Sequence, residues 1–119
     1  MLEDLRALAP VEAVRGNMDD AELRAVLPER RLVEIDGVRI GMVHDPGPRV
    51  GREARLAQRF PGCAVVVYGH THEPSLVEHD GVVLVNPGSP TERRRSATRG
   101  ICVADVVRGR FEPRLEELP

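Results

Sequence analysis

The chain is poor in aromatic residues and in cysteine, and it contains no tryptophan and no lysine. Phe60, Tyr68 and Phe111 are its only aromatic side chains, which excludes a platform for stacking successive bases. Its two cysteines, Cys63 and Cys102, both lie in apolar runs. They read as small core hydrophobes, not as a disulfide scaffold, and fit a reducing compartment. Long hydrophobic runs are missing too. The most apolar stretch, Cys63 to Tyr68, is far too short to cross a bilayer, and the acidic opening Met1-Leu2-Glu3-Asp4 shows no secretory pattern. Neither sign of charge dominates. The 17 basic residues, all arginine, face 19 acidic ones, and a net charge of -2 lacks the basic footprint of general nucleic-acid binding. A cytoplasmic protein that is not in the membrane is expected.

What is present describes an ordinary folded domain. With 119 residues, 41% hydrophobic and 30% charged, residues 1–119 are expected to form a single domain. A chain of this size buries roughly two-thirds of its unfolded surface without staples. Leu2, Leu5 and Leu8 share a helical face, Val11 to Arg15 suits a short strand, and Asp19 or Asp20 can cap a helix running to Leu27. Strands are expected at Arg31–Ile35 and Val38–Val43 around the hairpin signal Asp36-Gly37. The loop Asp45 to Gly51 leads into a helix over Arg52–Phe60, and Ala64–Tyr68 reads as a strand covered on both faces. A second Asp-Gly hairpin joins Ser75–Glu78 to Val82–Val85, Pro90 to Ser96 is a polar loop, and Thr98–Val107 pairs with Arg110–Leu115 across Arg108-Gly109. Helices alternating with strands, then hairpins, point to an α/β fold of mixed sheets with helices packed outside.

Three of the four histidines, His44, His70 and His72, stand where strands give way to loops, and Asn17 follows another strand. Open sheets place ligand sites at such ends. His70 and His72, two apart, would project to one side of extended backbone. Neutral imidazoles beside an amide oxygen suit a borderline divalent ion such as manganese, iron, nickel or zinc.

Taken in order, Gly16-Asn17-Met18-Asp19, His44 closing an apolar strand, Gly69-His70-Thr71-His72 and Asn86-Pro87-Gly88-Ser89 resemble the calcineurin-like metallophosphoesterases. The likeness is to their small bacterial YfcE-like phosphodiesterase branch and runs over nearly the whole chain. It implies two facing mixed sheets flanked by helices, an αββα sandwich. It also implies hydrolysis of phosphodiester bonds at a dinuclear site, with two divalent ions, manganese foremost. By that resemblance Asn17, His44 and His70 bind one metal and His72 the other, while Asp19 holds the Asn17 loop. The Asn-Pro-Gly-Ser turn is implied to lie near the active centre and to orient the metal-binding loop.

Two departures shape the expectation. The Asp-x-His and Gly-Asp motifs that open the family pattern have no counterpart before Gly16, so the chain reads as N-terminally truncated, and negligible turnover is expected of it alone. Those motifs are expected upstream of Met1, or else another chain covers the bared strand edge. Met18 stands where many relatives carry a histidine that serves as general acid or contacts the phosphate, so diesters with stable leaving groups are expected over alkyl monoesters. Asp45 could orient a ring or simply begin its loop. Arg93-Arg94-Arg95 with Arg99, and Arg49 with Arg52, could attract an anionic substrate, or be solvated loop charges. His79 reads as a surface residue. Two other readings stand beside the enzyme: a non-catalytic protein-interaction scaffold of the same fold, like the retromer subunit, and a single-metal domain without turnover. A small phosphate ester is the expected partner, and homo-oligomerisation stays open.

Overall fold

A computed structural model describes residues 29–69, 71, 73–88 and 99–118. The expected elements of the first 28 residues and the loop from Pro90 to Ser96 lie outside the described residues. Elements follow the order β1 (Arg30–Ile35), β2 (Val38–Val43), α1 (Arg52–Arg59), β3 (Val65–Tyr68), β4 (Ser75–His79), β5 (Val82–Asn86), β6 (Arg99–Val107) and β7 (Arg110–Leu118). The first five strands form one mixed sheet, ordered β1-β2-β3-β5-β4, and β6 with β7 forms a second. Strands β2, β3 and β5 are parallel to one another, while β1 and β4 pair antiparallel at the flanks.

The alternation of side chains divides the core between the two faces of the large sheet. On one face Val43, Val66, Tyr68 and Leu84 meet Leu56 of α1 and Phe60 at the helix C-cap, with Cys63 beside them. On the other face Val38, Ile40, Val65 and Val85 meet Cys102, Val106 and Phe111 from the second sheet. Helix on one side and hairpin on the other produce the layered α/β sandwich. The run from Val65 to Tyr68 is buried from both sides, as its continuous hydrophobicity requires. Gly41 has its own packing reason. A Cβ there would lie 2.6 Å from Cγ of Phe60, so the ring seats directly on the strand backbone.

Among the described residues, three hairpins turn through two residues with positive φ: Asp36 and Gly37, Asp80 and Gly81, Arg108 and Gly109. That is the type I′ geometry, whose twist matches the flanking strands. Aspartate tolerates the left-handed region; arginine does so at a cost. Replacing Arg108 (φ 52°) by asparagine is therefore expected to stabilise the fold by about 0.5–1 kcal/mol, read as a higher denaturant midpoint. The last strand outruns its expected end at Leu115. Cross-strand pairing of Gly100 with Glu117 and of Arg99 with Leu118 carries it through an acidic stretch of poor strand propensity.

Candidate metal centre

The three parallel strands finish at one edge of the sheet. Val43 of β2 is level with Tyr68 of β3, and Val67 with Val85 of β5, so His44, Gly69 and Asn86 all sit at the carboxyl ends. The Gly69 amide donates to the His44 carbonyl at 3.0 Å, which carries the parallel ladder one step past both strands. The half-buried His44 side chain lies against Gly69, where a Cβ would stand 3.4 Å from Nδ1. His44 is thus held beside the segment that carries the other two histidines of the expected set. Asn17, Asp19, His70 and His72 themselves lie outside the described residues.

That segment is anchored from below. The Thr71 amide donates to the Gly69 carbonyl at 2.9 Å, and the Thr71 hydroxyl accepts from the Glu73 amide at 3.3 Å. The same hydroxyl accepts from Nδ2 of Asn86 at 2.7 Å, and Oδ1 of Asn86 accepts from the Gly88 amide at 3.0 Å. Asn86 is only 1% exposed, so both ends of its amide are paired, as burial of a polar group demands. The topology explains the contact. Ser75 pairs with Asn86, so the chain leaving β3 must pass over the end of β5 to enter β4.

On the other side of His44, residues 45–51 form a tightly bonded loop. Oδ1 of Asp45 accepts from the Gly47 amide at 2.9 Å, so this aspartate begins the loop. Arg52 donates through Nη2 to the Gly47 carbonyl at 3.0 Å. Arg55 donates to the carbonyls of Pro46 at 3.1 Å, Val50 at 3.3 Å and also Pro48. Arg52, weighed above as an anion contact, is engaged with the loop, while Arg49 is exposed. Arg93, Arg94 and Arg95, the Arg99 side chain and Ser89 lie outside the described residues.

Neither cysteine adds chemistry. Burial pushes the Cys63 thiol up, against a weaker opposing pull from Arg39. Burial also raises Cys102, opposed by the Arg114 backbone and charge. Both stay protonated thiols at neutral pH, poor as nucleophiles and as soft metal ligands. Among the described residues no three His, Cys, Asp or Glu side chains gather, and no helix is long and apolar enough to cross a membrane. Of the expected donors only His44 is among the described residues, and an imidazole nitrogen suits a borderline divalent cation.

The chain belongs to the calcineurin-like phosphoesterase superfamily, whose domain profile matches residues 1–109. A probable metallophosphoesterase of Methanothermobacter thermautotrophicus is 42% identical over 96 residues, 79% of this chain and 55% of that protein. The chain spans about half the length of the curated relatives it matches. Among solved structures, one described as a novel archaeal phosphodiesterase aligns with a TM-score of 0.71 at 25% identity, covering 92% of this chain and 70% of the other. Vacuolar protein sorting 29 of Cryptosporidium parvum aligns with a TM-score of 0.73 at 25% identity, covering 98% and 74%. The family uses divalent metals, and the fold is the metallophosphoesterase fold.

The resemblance places Asn86 in a turn that orients the metal-binding loop but does not identify the group it bonds, a hydroxyl 15 residues away. One contributor escaped the sequence reading. Arg55 was not singled out at all. Its signal was available: Arg52 and Arg55 open a helix with no side-chain cap, where acidic residues are favoured.

Proposed function

We propose that this chain is part of a metal-dependent phosphodiesterase whose dinuclear site lies at the carboxyl edge of its parallel strands. Asn17, His44 and His70 would hold one ion and His72 the other, with Asp19 steadying the loop that bears Asn17. The observation that carries the reading is the hydrogen bond from Gly69 to His44, which keeps two histidine-bearing strand ends side by side. Bound divalent ions, manganese foremost, would supply an activated water and neutralise phosphate charge. The protein's own part is to present neutral imidazoles from a rigid strand edge and to keep them oriented. Met18 offers no proton to a leaving group, which favours phosphodiesters with stable leaving groups. Cytoplasmic residence and a small phosphate ester as partner belong to the same proposal.

The test is metal content together with hydrolysis of an aryl phosphodiester. It uses the 119-residue chain and the reading frame continued upstream of Met1. Manganese-dependent turnover of the continued frame, two ions per chain and loss of turnover in His70→Ala are expected. Unchanged turnover in His70→Ala removes the ligand assignment. One ion without turnover favours a single-metal domain, and no ion favours the interaction scaffold.

A further inference from the structure

We infer that Arg55, assisted by Arg52, is a positioning residue that latches the 45–51 loop and thereby fixes His44. The inference rests on the metal-site reading and names a part of it that lies outside the ligand set. Four carbonyls of this loop, those of Pro46, Gly47, Pro48 and Val50, receive guanidinium donors from these two arginines. Three of the four bind the one Arg55 side chain. Gly47 lies against that guanidinium, where a Cβ would stand 3.1 Å from both Nε and Nη2. Pro46 is fully buried, so the chain is pinned two residues after His44. The His44 carbonyl is already held by Gly69 on the other side.

The latch runs against local rules. Arg52 and Arg55 place positive charge in the first turns of α1, where the helix dipole disfavours it, and Gly51 supplies no side-chain cap. The Nε atoms of both arginines are shut from solvent without a partner. A buried, unpaired donor is costly and is retained where the rest of the group does something the fold needs. A planar fork is what the task requires, since a lysine ammonium could not reach three divergent carbonyls at once.

The experiment compares wild type, Arg55→Lys, Arg52→Gln and His44→Ala by two readouts that need no turnover. The first is the rate of tryptic cleavage at Arg49–Val50, both exposed, followed by mass spectrometry. The second is manganese affinity by direct titration. Arg55→Lys is expected to be cut about tenfold faster and to bind manganese about tenfold more weakly, with helix and strand content intact. Arg52→Gln loses the Gly47 bond and is expected to shift both readouts about threefold the same way, which serves if Arg55→Lys fails to fold. Wild-type cleavage in both variants overturns the latch. Faster cleavage with unchanged manganese affinity overturns the positioning of His44. If His44→Ala itself binds manganese like wild type, the metal-site reading fails, whatever the arginine variants do.

Discussion

Asn86→Leu is expected to lower the unfolding free energy by about 2–3 kcal/mol, among the larger losses available to a side chain of this size. Leucine has the same branched skeleton but is bulkier, so no cavity is left and the loss is polar with some overpacking added. The Thr71 hydroxyl loses its 2.7 Å donor and the Gly88 amide its 3.0 Å acceptor. Both groups then sit against a side chain that is 1% exposed in the native fold, with little water to replace it. Leaving a buried partner unsatisfied costs about 1–3 kcal/mol, more than a net hydrogen bond contributes. A second consequence follows from topology. Thr71 lies between the two histidines of the Gly-His-Thr-His segment, so freeing its hydroxyl loosens the segment, and manganese affinity should fall as well. Urea unfolding followed by circular dichroism gives the first quantity and metal titration the second. A stability change below about 0.5 kcal/mol would show that the Asn86 bonds are dispensable.

Leu56→Ala should cost more, about 3 kcal/mol and within the usual range of about 2–5 for deep leucine truncations. Leu56 is fully buried and is the residue through which α1 reaches the cluster of Val43, Phe60, Val66, Tyr68 and Leu84. The site cannot collapse easily. Phe60 is already pressed onto Gly41, and Val66 is fixed in the central strand, so most of the deleted volume remains as cavity. The comparison is Val50→Ala on the loop before α1. Val50 is 89% exposed, and its truncation is expected to stay within about 0.5 kcal/mol. Equal effects of the two changes in a denaturant titration would contradict the described core.

Much of the fold was legible because its signals are local. Asp36-Gly37 and Asp80-Gly81 announce hairpins through the left-handed backbone they tolerate, and each strand pair sits where those dipeptides place it. The apolar run ending at Tyr68 announced a central strand by having no polar side. Boundaries were read less well. Phe60 belongs to the helix cap, not the helix, and β7 continues to Leu118 because its partner strand does. Of the expected ligands, His44 is at the strand end where the motif pattern put it, next to the backbone of Gly69.

Alone, the order of residues determined the strand and turn grammar, the donor types at strand ends and the family to which the chain belongs, since these depend on near neighbours or on motif spacing. Tertiary structure alone decided that Asn86 reaches Thr71, that Arg55 closes over three carbonyls, and that Arg52 donates to the same loop. The physical reason is range. Each of those contacts needs a hydrogen-bond donor within about 3 Å of its acceptor and well aligned, and only the packing of strands and helix against one another brings the atoms to that separation.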